Sequence, residues 1–161
     1  MRYSQKYCLV AFLEPGDTNT EFEMADWPLH ITLADVFAVD AHDDITRELA
    51  NLLAEELPVA ITVHKEAFLG ETKVVLFDKS EVLTRLHNHV IDLLELHGAI
   101  FNNPEFIKDG FLPHSTIQGT RRLHDGDVIN INTISLIDMF PNSDWRLRKV
   151  LQNFTLNVTS P

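Results

Sequence analysis

Apolar residues recur along the chain at two spacings, and these divide it into strands and helices. A continuous run at 7–13 predicts a buried strand, ended by the turn residues Glu14-Pro15-Gly16-Asp17. Residues 18–27 are polar and read as a connection. Strand-like alternation begins near Leu29 and runs to about Phe37. From 41 to 57 the spacing changes. Ile45, Leu49, Leu52, Leu53 and Leu57 repeat at helical intervals, Asp40 suits the N-cap, and Asp43 and Asp44 suit the first turn. Strands follow at 59–68 and 73–77, joined through Gly70. A second amphipathic helix is predicted at 80–97, with Val82, Leu83, Leu86, Val90, Leu93 and Leu94 as its buried stripe and Gly98 as its stop. Residues 101–110 read as a loop around Asn102-Asn103-Pro104, and strands at about 131–140 and 147–158 complete the chain.

Composition narrows the class. A chain of 161 residues, 45% hydrophobic and 23% charged, fits one soluble globular domain with a real core. No apolar run is long enough for a membrane span or a signal-peptide core, so neither a membrane partner nor export is expected, and the predicted location is cytoplasmic. The single cysteine, Cys8, cannot form an internal disulfide, which fits a reducing compartment. It reads as core packing, because only Lys6 stands near enough to stabilise a thiolate. The Asn-x-Thr sequons at Asn153 and Asn157 are equally explained by polar alternation on a terminal strand. A formal charge of −11, from 24 acidic against 13 basic residues, argues against tight binding of long nucleic acid, whose affinity comes largely from phosphate neutralisation. A small nucleotide or an RNA end remains compatible, and a monomer is expected.

Two segments share a pattern that carries chemistry. Trp27-Pro28-Leu29-His30-Ile31-Thr32-Leu33 and Phe111-Leu112-Pro113-His114-Ser115-Thr116-Ile117 each place a histidine two residues before a threonine inside a strand-like stretch. On a strand, His30 and Thr32 project one way while Leu29, Ile31 and Leu33 project toward a core; His114 and Thr116 likewise share a face opposite Phe111, Pro113, Ser115 and Ile117. Eight histidines and twelve threonines predict roughly 0.6 copies of His-x-Thr by chance, so the bare pattern means little. Requiring an apolar residue after the threonine and a proline within two positions before the histidine lowers that to about 0.02, and both segments pass. An imidazole beside a hydroxyl, presented twice from a rigid sheet, is a kit for acid–base chemistry on a phosphate.

Other chemistries find less support. His87, His89 and His97 lie on the second helix without an i, i+4 pairing, and neither His-Glu-x-x-His nor Cys-x-x-Cys occurs, so no metal site is expected. Gly-x-Gly-x-x-Gly, Walker-type loops and Gly-x-Ser-x-Gly are absent, and no cofactor is implied. Arg121 and Arg122 follow the second segment closely enough to contact a phosphate, with a solvated turn as the alternative. Trp27 and Tyr7 lie near the strands expected to flank a site, where a ring could stack on a base; core or rim packing is the alternative.

The paired segments resemble the tetrads of the two-histidine phosphoesterases, the RNA ligase-like or cyclic phosphodiesterase superfamily, which carry two His-x-Thr/Ser-x motifs with apolar x positions. The order of elements follows that family over most of the chain, including the Phe-x-Pro-His lead-in to the second tetrad; Ser115 departs from it, being polar where an apolar residue is usual. The resemblance implies an α+β fold of two pseudo-symmetric lobes, mainly antiparallel sheet with helices on the outer faces and a central cleft. It further implies hydrolysis of a 2′,3′-cyclic phosphate on a nucleotide or RNA end, with reverse 2′-5′ ligation associated with the family. Catalysis is expected from His30, Thr32, His114 and Thr116, with His114 as base and His30 as acid. Tyr7, Trp27, Arg121 and Arg122 are the expected substrate contacts. A noncatalytic nucleotide- or phosphate-binding module using the same cleft, and a plain structural domain whose histidines face apart, are the alternatives.

Overall fold

The computed structural model describes residues 5–14, 16–40 and 42–157. Pro15, Ala41 and Val158, expected in a turn, at a helix start and at a strand end, lie outside the described residues. In chain order the elements are β1 (Tyr7–Phe12), β2 (Glu21–Glu23), β3 (His30–Ala38), α1 (His42–Leu53), β4 (Val59–Leu69), β5 (Thr72–Phe77), α2 (Glu81–Leu96), β6 (Ile100–Phe101), β7 (His114–Thr116), β8 (Val128–Ile131), β9 (Thr133–Asp138) and β10 (Leu147–Thr155). They build an α+β fold with two sheets. One sheet has the order β2-β10-β9-β1-β3-β6, and the other β7-β5-β4-β8; the pairings within both are antiparallel.

The lobes are not the two halves of the sequence. β9 and β10, late in the chain, return to the first sheet beside β1, and β8 passes almost directly from one sheet into the other. Residues 18–27, expected as a plain connection, contribute the short edge strand β2, paired with Leu147–Lys149 of β10. The strand expected at 131–140 is β9, and a further strand not expected from the sequence, β8, precedes it and pairs with β4 in the other sheet.

A single apolar cluster draws from both sheets and both helices, with Phe37, Leu9, Ile31, Leu49, Leu86 and Leu136 among its most buried members. α1 ends at Leu53, short of the predicted 57. Pro58 disfavours helical backbone at the residue before it, and Leu57 is left exposed instead of joining the stripe. α2 is capped by the Ser80 side chain, which accepts from the Leu83 amide at 3.1 Å, and Gly98 takes a left-handed φ of 77° at its stop. Its buried face is Leu83, Leu86, His87, Val90, Ile91 and Leu94; Val82, expected in that stripe, is exposed, and Leu93 is half-buried. Cys8 is buried, with its Sγ 3.5 Å from Met139 Sδ, and burial pushes its thiol pKa far up, so it is chemically quiet.

Candidate active site

Each tetrad opens its strand. His30 is the first residue of β3 and His114 the first of β7, which put the two histidines on different sheets that meet where β3 contacts β7. The alternation predicted for the first tetrad is present: Ile31 and Leu33 are 2% exposed, while His30 and Thr32 are half-buried. In the second, Ser115 turns into the core while His114 and Thr116 face outward.

The two rings are held by the same bond. His30 Nδ1 lies 2.8 Å from the Pro28 carbonyl oxygen, and His114 Nδ1 lies 2.9 Å from that of Leu112. A carbonyl can only accept, so each Nδ1 carries the proton and donates it. Nε2 is then the nitrogen left to exchange protons with a ligand. Proline supplies part of the reason. It stands at 28 and at 113, where its fixed φ shapes the turn that brings a carbonyl under the ring two residues on.

The surroundings of His30 also act on its charge. Burial holds His30 below the usual histidine range; the Pro28 bond works against that shift, and positive charge on His114 adds to it. The His30 ring also packs on Trp27, with centroids 4.5 Å apart, and edge-on to Phe12 at 6.1 Å.

A cavity of about 760 Å³ opens between the sheets. Thr32, His114 and Thr116 line it together with Asp35, with Leu69, Gly70, Thr72 and Val74 of the β4–β5 hairpin, and with Glu105, Phe106 and residues 110–112 of the loop before β7; His30 stands outside its lining. Asp35 was not legible in the sequence, since strict alternation sends it to the face of Ile31 and Leu33. The register shifts between Leu9 and Val10, which pair with Ala34 and Thr32, so β3 holds an extra residue there and Asp35 returns to the face of Thr32. In the loop, Gly110 packs so closely on Glu105 that an added Cβ would fall 1.8 Å from its carbonyl oxygen, which explains glycine at this place in the cavity wall.

The expected substrate contacts are divided by the structure. Trp27 lies beside His30, half-buried among Phe12 and Phe22. Tyr7, expected near the cleft, is instead buried in the core against Phe37, with ring centroids 6.0 Å apart. Arg121 is committed to the Trp27 carbonyl (2.7 Å), Gln118 Oε1 (2.7 Å) and Asp26 (3.3 Å), and Arg122 to Glu66 and the Leu123 carbonyl. Gln118 Nε2 donates to the same Trp27 carbonyl at 3.0 Å, so the segment after the second tetrad clasps the segment before the first.

Behind the site stands His87, 1% exposed. Its Nδ1–H donates to the Leu33 carbonyl at 2.7 Å, its Nε2 accepts the Lys108 amide at 3.0 Å, and its ring stacks on Phe111 at 3.8 Å. One neutral imidazole thereby ties the strand of the first tetrad to the lead-in of the second. Burial lowers its pKa and nearby Lys108 lowers it further, while the Leu33 bond opposes the shift. Its place four residues after Leu83 and three before Val90 was the sequence signal that it faces inward. Among the described residues no group of three or more His, Cys, Asp or Glu could hold a metal ion, and no helix is long and apolar enough to cross a membrane.

A family model described as the 2′-5′ RNA ligase superfamily matches residues 14–150. The chain belongs to that superfamily. Both tetrads and the strands that carry them fall within the matched region. Solved structures of the same fold include one described as a phosphoesterase (17% identity, TM-score 0.61, covering 95% of this chain and 98% of the other). Another is Escherichia coli LigT complexed with 3′-AMP (16% identity, TM-score 0.58, covering 95% and 98%). A third is TT0787 of Thermus thermophilus (16% identity, TM-score 0.60, covering 96% and 100%). No curated protein matches the sequence. Membership in the 2′-5′ RNA ligase superfamily indicates an enzyme of phosphoesterase or ligase type.

Proposed function

We propose that this superfamily member hydrolyses the 2′,3′-cyclic phosphate of a nucleotide or RNA end without a metal, by acid–base catalysis between His30 and His114. The observation that carries this reading is the matched pair of Nδ1–carbonyl bonds, which leaves two Nε2 atoms, one from each sheet, as proton carriers. In-line displacement at phosphorus places the attacking and leaving oxygens on opposite sides, a task suited to two proton carriers supplied by different strands, as His30 on β3 and His114 on β7 are. Water attacks phosphorus, one imidazole takes its proton, the bond to one ribose oxygen breaks, and the other imidazole protonates that oxygen. The product is a nucleoside monophosphate. Thr32 and Thr116 donate hydrogen bonds to the nonbridging oxygens, where negative charge accumulates in the transition state.

Burial favours the neutral form of His30, which makes it the ring ready to accept the proton from water, with His114 as the donor to the ribose oxygen. This polarity is the opposite of the one expected from the sequence, because the burial of His30 is not visible in its tetrad. With a hydroxyl in place of water as the nucleophile, the same ring opening joins a 2′,3′-cyclic end to that hydroxyl, one imidazole taking the hydroxyl proton and the other protonating the released ribose oxygen. The 3′-AMP in E. coli LigT supports a nucleotide ligand for this chain.

Incubation with a mixture of nucleoside 2′,3′-cyclic phosphates, followed by chromatography, tests the reading. The expected result is conversion to monophosphates. Binding without consumption points to a noncatalytic module, and the absence of both binding and turnover overturns a role for the cleft.

A further inference from the structure

The cavity offers a nucleotide room but little countercharge. Two carboxylates, Asp35 and Glu105, line it, and no lysine or arginine does among the described residues. Two lysines close in sequence to its lining residues and the two arginines after the second tetrad are each paired with a carboxylate. Lys73, between the cavity residues Thr72 and Val74, holds Glu66 at 3.1 Å; Arg122 holds the same Glu66; Lys108 holds Asp92; and Arg121 holds Asp26 at 3.3 Å. One Asp35 oxygen accepts from Asn103 Nδ2 at 2.9 Å, which ties that carboxylate to the loop leading into the cavity wall. Much of the remaining wall is apolar, including Leu69, Phe106 and Leu112, and the last two are about half exposed.

A nucleoside 2′,3′-cyclic phosphate carries one negative charge, at the group the tetrads engage. An RNA end adds one charge for every linkage, and a 5′-phosphorylated nucleotide adds up to two. Those charges would lie beside the half-buried Asp35, where like charges repel more strongly than in bulk water, and near the exposed Glu105. An uncharged nucleoside, by contrast, packs its base on the apolar wall and offers ribose or amino hydrogens to the carboxylates.

We infer that the site takes nucleotides bearing a single phosphate, the one being hydrolysed, and that Asp35 and Glu105 are specificity residues that turn away substrates with further phosphates nearby. The inference rests on the phosphoesterase reading above and narrows its substrate class.

The test compares kcat/KM for adenosine 2′,3′-cyclic phosphate with that for a short oligoadenylate ending in the same group, in about 50 mM and about 300 mM KCl. The expected result is a preference of roughly tenfold or more for the mononucleotide at low salt, narrowing at high salt because screening relieves repulsion of the oligonucleotide. Glu105→Gln, at an exposed loop position, and Asp35→Asn should each narrow the preference at low salt. An oligonucleotide consumed as well as the mononucleotide, or losing rate as salt rises, overturns the inference and leaves the phosphoesterase reading standing. If neither compound is consumed, the reading of the site fails and the inference falls with it.

Discussion

Arg121 donates to the main-chain oxygen of Trp27 at 2.7 Å, and through that bond the residues after one tetrad hold the residues before the other. Both the arginine and its ion-pair partner Asp26 are largely exposed, so the charge pair itself contributes little; the bond to the carbonyl sets the geometry. Arg121→Ala is therefore expected to cost about 1 kcal/mol in a denaturant titration and to lower kcat more than it raises KM. A large rise in KM with kcat unchanged would show that the guanidinium binds substrate phosphate directly.

Both histidines are needed if protons pass through them. His30→Ala and His114→Ala should each reduce turnover of a 2′,3′-cyclic nucleotide by about 10² or more, with circular dichroism and the thermal midpoint little changed, and EDTA should leave the wild-type rate unaltered. Full activity in either variant removes the proposed roles.

His87 connects Leu33 to Lys108, and through the loop that follows it reaches Leu112, whose carbonyl holds His114. His87→Phe fills the space but leaves a buried carbonyl and a buried amide without partners, at a cost of about 2 kcal/mol or more. Its kcat should fall while KM changes less. His87→Gln, which can still accept from Lys108, is expected to recover part of both losses; no recovery would mean that the ring stack on Phe111 matters more than the hydrogen bonds.

The acid limb of the stability profile has a definite sign. His30 and His87 both titrate below the ordinary 6.5 in the fold, so below that pH the unfolded chain binds more protons than the folded one. Their contribution is complete above about pH 6.5 and is lost as the pH falls through the folded values. Glu66 and Asp144, held below the usual carboxylate range by arginine and lysine partners, respond only in more acidic solution. Urea titrations between about pH 8 and about pH 5 should show stability declining with acid, and less steeply in His87→Gln. Identical slopes would place the proton uptake elsewhere.

Ser115 lies in the core at 1% exposure, and its hydroxyl has no hydrogen-bond partner among the described residues. Ser115→Ala removes a buried polar group that gains nothing in return, so the protein should become more stable by up to about 1 kcal/mol, read as a higher denaturant midpoint. Loss of stability would reveal a partner for the hydroxyl in solution.

The sequence by itself determined the elements and the chemical pairs. Alternation around His30 and Thr32 set which side chains leave the core, helical spacing set α1 and α2, and matched prolines and histidines marked two equivalent stations. These properties are local, fixed by backbone periodicity within a few residues. Tertiary structure decided the rest. It put β9 back beside β1 with β10 on its far side, buried Tyr7 while leaving Trp27 against His30, and committed Arg121 and Arg122 to clasps rather than leaving them free. It also turned Asp35 into the cavity, because one extra residue in β3 reverses which way later side chains point, and only the pairing with β1 reveals that residue. Burial then lowered the pKa of His30: the cost of charging an imidazole depends on the solvent and charges around it, and those come from distant parts of the chain.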